Sequence, residues 1–425
     1  MNNHKLEIYK GSLSVFLIRG FSILAGYIFT FLVAFYYGAE GVGLFSISYT
    51  LLAMASLVSV LGFDVASVRL ISENKSLENI QAIYLKILKV VIPFSLLLSI
   101  ILFFSSHFIS NVLDDNKLII NLRFVCLGIL PLSLIFIHSE GLRGMKEVSL
   151  YSLLKYAMIP LFASIILLLI DKSKFINFEG PIFAYLVSIL ITFFISLFIW
   201  IKKNGYSRSA HNSISLKYLL NISIPILLTT SMFHIINWTD TIILGYYNTS
   251  HDIGIYNICF KMSMSSSIIL FSINSIAAPK FSELYSSKKF IEFKNIIKLS
   301  SKIIFWLSIP ILLIIAYKAD FLLGIFGLDF KDGKIALYVL LFGQFINILC
   351  GSVGYILMMT NKQKILRNIM IVATLSNIIL NIILIPIYGI LGAAISTTVA
   401  VMIWNISSLI YIYKEYGFIT INIIK

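Results

Sequence analysis

Two cations lie inside long apolar segments of the chain, where an ionised side chain is expensive. Arg19 lies about seven residues into the first such segment, and Lys261 is similarly placed in a later one. A charge at the centre of a bilayer costs about 3 kcal/mol or more unless it faces water or a partner. Arg19 would offer a guanidinium to a pyrophosphate or an acidic sugar, because its planar fork matches an oxyanion. The alternative for both residues is that their long stems carry the charge to the lipid headgroups.

Asp240 is a carboxylate near the end of another apolar segment, two residues after Trp238. It can pair with Lys261 or carry a proton. A cluster of tryptophan and aspartate at the membrane interface is the structural alternative, since aromatic residues are enriched at headgroup level. The sequence alone leaves these interpretations open.

Asp64 and Arg69 lie five residues apart on one predicted helix, so their side chains point in different directions. Asp64 can instead reach Arg19 on the neighbouring segment, which would make a structural ion pair. Arg69 and Lys280 occupy equivalent positions of an internal repeat and can gather an anionic lipid headgroup at the cytoplasmic mouth. A general excess of basic residues on the cytoplasmic side would explain these two cations equally well.

Motifs for covalent or metal chemistry are not found in the sequence. It has no P-loop, no nucleophile elbow and no H-E-x-x-H, so we predict no catalytic residues and no ATP hydrolysis. Cys126, Cys259 and Cys350 fall in apolar segments without C-x-x-C spacing, so neither a metal nor a disulfide is implied. We expect no cofactor, and transport would run on the substrate gradient or on a proton or sodium gradient.

The composition places these charges in a membrane protein. With 59% hydrophobic residues, 12% charged residues and a mean hydropathy of +0.95, the chain has too little polar surface for a soluble globule. The first apolar segment, Ser12 to Tyr36, lacks an A-x-A cleavage pattern, so we interpret it as a retained membrane helix. The net charge of +14 would suggest nucleic acid in a soluble protein, but here it reflects basic cytoplasmic loops, and no nucleic-acid partner is predicted.

Twelve apolar runs are each long enough, at roughly 20 residues or more, to cross ~30 Å of hydrocarbon. They lie near 12–37, 43–71, 82–110, 117–141, 149–170, 180–201, 218–246, 253–279, 297–322, 334–359, 367–388 and 391–414. An even number places both termini on one side. Of the 33 Lys and Arg residues, 24 fall on that side and seven on the other, which predicts cytoplasmic termini.

An internal duplication organises these spans. The pattern of residues 36–73 is used again at residues 246–283, an offset of about 211 residues. Both copies run from a tyrosine pair through a glycine and an apolar stretch to a basic residue followed by Ser-Glu. The polar stretch 202–217 has the composition of a linker. We therefore predict two six-helix lobes, residues 1–209 and 210–425, arranged as parallel repeats about a pseudo-twofold axis along the membrane normal.

The same blocks resemble a known family, the polysaccharide-exporter branch of the MOP superfamily. The likeness covers almost the whole chain, and its specificity comes from the order and spacing of loosely matched blocks. Those blocks are Tyr37-Gly38-Ala39-Glu40-Gly41-Val42-Gly43-Leu44-Phe45-Ser46, Gly62-Phe63-Asp64, Arg69, Asp240-Thr241-Ile242-Ile243-Leu244-Gly245, Gly254-Ile255-Tyr256, Ala278-Pro279-Lys280-Phe281 and Tyr388-Gly389-Ile390-Leu391-Gly392-Ala393-Ala394.

This resemblance implies a Wzx-type flippase of the bacterial inner membrane. Such a protein moves undecaprenyl-pyrophosphate-linked oligosaccharide units for O-antigen or capsule assembly, and its fold is a MATE-like pair of six-helix bundles around a central cavity. The resemblance also makes a polysaccharide polymerase and a chain-length regulator candidate partners. Arg19, Asp64, Arg69, Asp240, Lys261 and Lys280 are the candidate cavity or substrate-binding residues.

Two other functions compete with this one. A MATE-type exporter of cationic drugs should concentrate carboxylates in its cavity, but the deep charges number two of each sign, which favours neither transporter. A membrane-embedded polysaccharide polymerase would carry a long extracytoplasmic loop, whereas the outer loops here reach about a dozen residues. A duplicated architecture also has no obvious use in a polymerase or an acyltransferase.

Overall fold

The computed structural model describes residues 2–73, 76–170, 179–205 and 215–420. Within these ranges the side chains of residues 2–17 and of several later positions, Arg19 and Arg69 among them, are left undescribed. Every regular element in the described ranges is helical. This agrees with an apolar chain, because a helix satisfies its own backbone hydrogen bonds in lipid.

The described residues form eighteen helical elements, eight of them in the first half of the chain. They are α1 (Asn2–Val60), α2 (Phe63–Glu73), α3 (Leu77–Val112), α4 (Leu118–Gly144), α5 (Val148–Ser152), a π-helical turn (Leu153–Ala157), α6 (Met158–Leu169) and α7 (Gly180–Asn204).

Ten helical elements follow in the second half. They are α8 (Leu216–Tyr247), α9 (Ser250–Ser265), α10 (Ile268–Ser286), α11 (Phe290–Tyr317), α12 (Ala319–Phe326), a 3-10 turn (Leu328–Gly333), α13 (Lys334–Cys350), α14 (Val353–Met359), α15 (Gln363–Tyr388) and α16 (Ile390–Tyr416).

Nine helical stretches of the described residues are long and apolar enough to cross a membrane. A tenth results if α9 and α10, which are bent by 47° at a short break, count as one span. The first of the nine, residues 20–60, is interrupted at Gly38, where φ is 66° and the sequence predicts a boundary between two spans. An all-helical membrane protein is thus confirmed, while the twelve-helix layout remains a prediction.

The chain forms two compact units, residues 1–231 (unit 1) and 232–425 (unit 2), and the division falls inside α8. The lobe boundary predicted from the sequence, between residues 209 and 210, lies in the stretch 206–214, outside the described residues. That predicted boundary therefore remains a prediction.

In unit 1, α4 is the central helix and packs against α1, α2, α3 and α7. Two glycines allow this close packing. A Cβ on Gly141 would lie 2.5 Å from the ring of Trp200 on α7, and one on Gly144 would lie 3.0 Å from the carbonyl oxygen of Val68 on α2. Within a bilayer such van der Waals contacts hold helices together, because lipid is as apolar as the side chains themselves.

In unit 2, α16 is packed between α13 and α15. The Thr398 hydroxyl of α16 donates 2.9 Å to the carbonyl of Val339 on α13, and Gly343 lies against the same threonine. Small residues along α16, such as Ala393 and Ala394, are fully buried. Their size lets α15 and α16 approach closely enough for polar side chains on the two helices to meet.

Candidate functional site

The most enclosed carboxylate of unit 2 is Asp240 on α8, which is 1% exposed. Its Oδ1 accepts hydrogen bonds from the amides of Asn381 at 2.6 Å and Asn377 at 3.2 Å. Its Oδ2 accepts from the Tyr256 hydroxyl at 2.5 Å and from the Thr397 hydroxyl. The carboxylate thus joins four helices, α8, α9, α15 and α16. We call these five residues the Asp240 centre.

Local helix geometry brings the donors of the Asp240 centre together. Asn377 and Asn381 are four residues apart on α15 and therefore share a face, where the Asn381 amide also donates 3.2 Å to the Asn377 carbonyl. Tyr256 and Thr397 approach from α9 and α16, with their hydroxyl oxygens 3.3 Å apart. Each carboxylate oxygen therefore accepts two hydrogen bonds.

The donors described around Asp240 are all neutral. A buried carboxylate needs either a counter-charge or several hydrogen bonds, and here it has the second. The carbonyl oxygen of Asn381 is buried and accepts no hydrogen bond within the described residues. A carboxylate, an unsatisfied amide oxygen and two hydroxyl oxygens form an oxygen-rich set that suits a proton or a small hard cation.

Unit 1 contains a different polar centre, built around Glu140 on α4, which is 1% exposed. Its Oε1 accepts from the ammonium of Lys155 and its Oε2 from Arg143 at 3.2 Å. Asp64 on α2 is also buried, and its carboxylate lies within electrostatic reach of both Lys155 and Glu140. Two carboxylates and two cations therefore meet in this Glu140 centre, which consists of Glu140, Asp64, Arg143 and Lys155.

Aromatic rings enclose the cations of the Glu140 centre. The Lys155 ammonium lies 5.5 Å from the ring centroid of Tyr151, 5.9 Å from Tyr156 and 5.8 Å from Phe136. The Arg143 guanidinium lies 5.2 Å from the Tyr151 ring. Cation–π contacts of this kind contribute about 0.5–2 kcal/mol each, more when desolvated.

The π-helical turn at Leu153–Ala157 explains the geometry of the Glu140 centre. Its i→i+5 bonding brings residues five apart onto one face, and the hydroxyls of Tyr151 and Tyr156 consequently meet at 3.1 Å. Lys155 lies in the middle of the turn. Turns of this type are frequent at functional sites.

Comparison with known proteins decides the family. The model of the polysaccharide biosynthesis protein family matches residues 8–285, more than half of the chain. The chain belongs to this family. The family predicted from the sequence blocks is confirmed, and the MatE family model also matches residues 225–383.

Two relatives are named as proteins of capsular polysaccharide or glycan biosynthesis. The capsular polysaccharide biosynthesis protein CapF of Staphylococcus aureus is 24% identical over 259 residues, which cover 59% of this chain and 64% of that protein. The probable low-salt glycan biosynthesis flippase Agl15 of Haloferax volcanii is 23% identical over 187 residues, which cover 44% of this chain and 39% of that protein. The chain thus spans less than two thirds of either relative.

Solved structures support the same fold. An inward-facing MATE-family multidrug resistance transporter of the MOP superfamily superposes with a TM-score of 0.75 and 13% identity, covering 96% of this chain and 98% of that one. The lipid II flippase MurJ in an inward closed conformation gives 0.76 and 17% identity, covering 93% and 86%. At these identities the likeness establishes a MATE-like fold.

The structure of this polysaccharide biosynthesis family member describes four of the six predicted site residues. Asp64 is part of the Glu140 centre, and Asp240 has neutral partners on three other helices. Lys261 is partly buried on α9, and its pairing with Asp240 remains a prediction. Lys280 is exposed on α10 and forms an ion pair with Glu283 at 2.9 Å. The side chains of Arg19 and Arg69 lie outside the described residues, so the pairing of Asp64 with Arg19 also remains a prediction.

Sequence reasoning missed most partners of both centres. Ionised side chains are the strongest site signals in an apolar sequence, so Thr397, Asn377 and Asn381 are not among the predicted site residues, and Tyr256 appears only within a family block. The signal was present in the pair of asparagines spaced i,i+4 within an apolar segment, since two amides on one face of a membrane helix need partners. Lys155 was counted as one more cytoplasmic charge, because a sequence does not show a π-helical turn.

Proposed function

We propose that this protein is a flippase that moves a lipid-linked oligosaccharide across a membrane by alternating access. The observation that carries the proposal is the family match over residues 8–285, on a fold shared with MATE and MurJ transporters over more than nine tenths of the chain. The named relatives act in capsule and glycan biosynthesis, and one is a probable flippase. These comparisons favour a transporter over an enzyme.

The substrate we propose is an undecaprenyl-pyrophosphate-linked oligosaccharide repeat unit. Its sugars and pyrophosphate cannot cross hydrocarbon unaided, so a flippase must offer polar groups while the polyprenyl tail stays in lipid. Arg19, Arg69, Lys261 and Lys280 are the cations proposed to attract the pyrophosphate.

The Glu140 centre is a further candidate for substrate contact. Its Arg143 side chain is 48% exposed, and Tyr156 is 38% exposed. An accessible guanidinium can bind a phosphate oxygen, and an accessible tyrosine ring can stack on a sugar. The buried side of the centre, Glu140 and Lys155, would then hold these two side chains in place.

Reconstitution tests the proposed activity. The purified protein is placed in vesicles that contain a fluorescent lipid-linked oligosaccharide, and an impermeant reductant added outside quenches the exposed leaflet. Active protein should make nearly all of the label accessible, whereas protein-free vesicles should protect about half. Protection that is the same with and without the protein would contradict the proposal.

We also propose that the Asp240 centre binds the coupling cation, a proton or Na⁺. This proposal rests on a buried carboxylate with neutral donors and on the unsatisfied Asn381 oxygen beside it. A ligand that binds the folded state raises its stability in proportion to the logarithm of ligand concentration. Unfolding temperature measured in NaCl, in choline chloride and over a pH series separates the two ions. A response to Na⁺ that is lost in Asp240→Asn supports sodium.

A MATE-type exporter of cationic drugs is the second candidate, and the MatE match over residues 225–383 favours it. It predicts that the protein expels cationic dyes and that purified protein binds them. The flippase proposal instead predicts binding of pyrophosphate-bearing lipid. Competition between the two ligands on the same sample distinguishes these functions.

The distribution of basic residues also supports a proposal for the membrane and the orientation of the protein. We place the protein in the bacterial inner membrane with both termini in the cytoplasm, as the distribution of Lys and Arg predicts. A polysaccharide polymerase and a chain-length regulator are proposed partners. Labelling of cysteines introduced into single loops, with an impermeant reagent on intact cells, tests the orientation.

A further inference from the structure

A groove of about 370 Å³ lies between α3 and α4 in unit 1. Its walls are mostly apolar and include the side chains of Leu96, Ile100, Phe103, Phe104, Leu127 and Pro131. Several of these side chains are exposed. The groove therefore opens on the surface of unit 1.

The polar side chains that line the groove are already engaged with their own helices. The Ser99 hydroxyl donates 2.9 Å to the carbonyl of Ser95, and the Cys126 thiol donates 3.1 Å to the carbonyl of Leu122. Both residues therefore line the groove without offering it a free hydrogen-bond donor. An occupant of this part of the groove must accordingly be apolar.

One end of the groove carries a cation. Arg123 lies one helical turn before Leu127 on α4, and His107 lies one turn after Phe103 on α3. The guanidinium carbon of Arg123 is 5.6 Å from the Phe103 ring centroid, and its Nη2 is 3.4 Å from Nε2 of His107. Both side chains are exposed. The guanidinium of Arg123 gives this end of the groove a positive charge.

Arg123 has no acidic partner among the ion pairs of the described residues. Arg123 lies about 8 Å from the start of α4 at 1.5 Å per residue, which is the depth of lipid headgroups. Among the nine described spans α3 is the least buried, and Phe104 and Phe108 are 77% and 70% exposed. This face therefore meets lipid.

We propose that the groove binds a glycerophospholipid of the surrounding membrane, with its phosphodiester at Arg123 and one acyl chain along α3 and α4. The planar fork of a guanidinium matches two oxygens of one phosphate. The single positive charge matches the single negative charge of a phosphodiester, whereas the polyprenyl-pyrophosphate of the proposed substrate carries more negative charge. The inference is independent of the proposed function, because it concerns a resident lipid.

Native mass spectrometry of the purified full chain tests the proposal. Dioleoyl phosphatidylglycerol is titrated into the detergent-solubilised protein, and the fraction carrying bound lipid gives an apparent affinity. Arg123→Gln should weaken this affinity about fivefold, the effect of one arginine at a membrane surface. The matched control is Arg367→Gln, because Arg367 is also exposed near a helix end and contacts only a neutral neighbour in the described bonds, Asn368. It should leave the affinity unchanged.

A second variant tests the apolar part of the groove. Ser99→Leu fills the groove while leaving Arg123 in place, and it should weaken phosphatidylglycerol binding by a similar factor. Equal affinity in wild type, Arg123→Gln and Ser99→Leu overturns the proposal. Displacement of the phospholipid by an equimolar polyprenyl pyrophosphate also overturns it, since the occupant would then be the substrate lipid. If Arg123→Gln does not fold, the Ser99→Leu measurement decides alone.

Discussion

The Asp240 centre of unit 2 has an aromatic counterpart in unit 1. Counting back about 211 residues from Asp240 and Tyr256, the offset of the duplication, leads to Phe29 and Phe45. The two rings are 5.1 Å apart edge to face, and Tyr185 packs on both at 5.7 and 5.3 Å. One repeat thus fills the position with rings, and the other fills it with a carboxylate and its donors.

Packing has been preserved more closely than chemistry between the repeats. Phe45 and Tyr49 stack at 5.9 Å in unit 1, and their equivalents Tyr256 and Phe260 stack at 6.2 Å in unit 2. The aromatic pair at i,i+4 is therefore common to both halves. What differs is the group placed against it, which is the ring of Phe29 in unit 1 and the Asp240 carboxylate in unit 2.

The units also differ in the groups that stabilise a buried carboxylate. Glu140 in unit 1 has two cations, Lys155 and Arg143, whereas Asp240 in unit 2 has neutral hydroxyls and amides. Removing one member of a buried ion pair leaves the other charge uncompensated. Removing the charge of Asp240 leaves no such orphan among its described donors. Replacing the carboxylate by an amide should consequently lower the stability of the protein far more at Glu140 in unit 1 than at Asp240 in unit 2.

The largest expected effect is that of Glu140→Gln. The variant leaves Lys155 and Arg143 without their carboxylate, and the free energy of unfolding should fall by about 3 kcal/mol. Denaturant titration in detergent measures it. Glu415→Gln is the matched control, because its partner Lys362 forms a pair nearer the surface. Glu140→Gln combined with Lys155→Met should recover part of the loss. If Glu140→Gln were as stable as the wild type, Lys155 and Arg143 would not depend on the Glu140 carboxylate for charge compensation.

Asp240→Asn should spare the fold and reduce transport. The amide keeps the shape of the carboxylate, and its neighbours Asn377 and Asn381 can turn their own amides to match, so unfolding should shift by less than about 1 kcal/mol. Transport of lipid-linked oligosaccharide in vesicles should fall at least about tenfold, because the ionisable group is gone. Full transport with an unchanged ion response would remove Asp240 from the coupling site.

Tyr256→Phe isolates one hydrogen bond of the Asp240 centre. Losing a donor to a buried carboxylate should cost about 1.5 kcal/mol of stability. Tyr49→Phe is the control from the aromatic counterpart, where the hydroxyl interacts with Tyr185 rather than with a charge. Its cost should be about 0.5 kcal/mol. Thermal unfolding of both variants is compared. A larger loss of stability for Tyr49→Phe than for Tyr256→Phe would contradict the expectation that the hydrogen bond to the Asp240 carboxylate is the stronger one.

The smallest expected effect on stability is that of Lys280→Gln. Lys280 and Glu283 are both exposed, and such pairs contribute between zero and about 1 kcal/mol. A measurable loss of transport without a loss of stability would assign Lys280 to substrate handling. Glu283→Gln breaks the same ion pair while keeping the cation, so it should transport normally. Loss of transport in both variants would show that the pair itself matters.

Fold class and family were predictable because they depend on long patterns. Apolar runs of membrane length predicted the helices, and the repeat with its quoted blocks predicted the family. Gly38 marks the boundary predicted between the first two spans, because a positive φ favours glycine. Each of these features can be recognised from residues that are consecutive or close together in the sequence.

The partners within each site were less predictable, because they come from distant parts of the sequence. Asp240 was singled out as a buried charge, but Thr397 lies 157 residues away and resembles any other hydroxyl of an apolar helix. Asp64 was expected near Arg19, and its described electrostatic neighbours are Lys155 and Glu140. Neutral donors leave no strong mark in composition, so packing alone reveals them.

The π-helical turn at Leu153–Ala157 gives the first half of the chain an unusual tolerance of deletion. Loss of Leu153 or Leu154 would let the backbone relax into an ordinary α-helical turn without losing hydrogen bonds. Tyr151 and Tyr156 would then lie four residues apart instead of five, and Tyr151 and Lys155 three instead of four, so each pair would still share a face of the helix. Shortening the chain by one residue at this turn would therefore leave Lys155 on the side of the helix that meets Glu140.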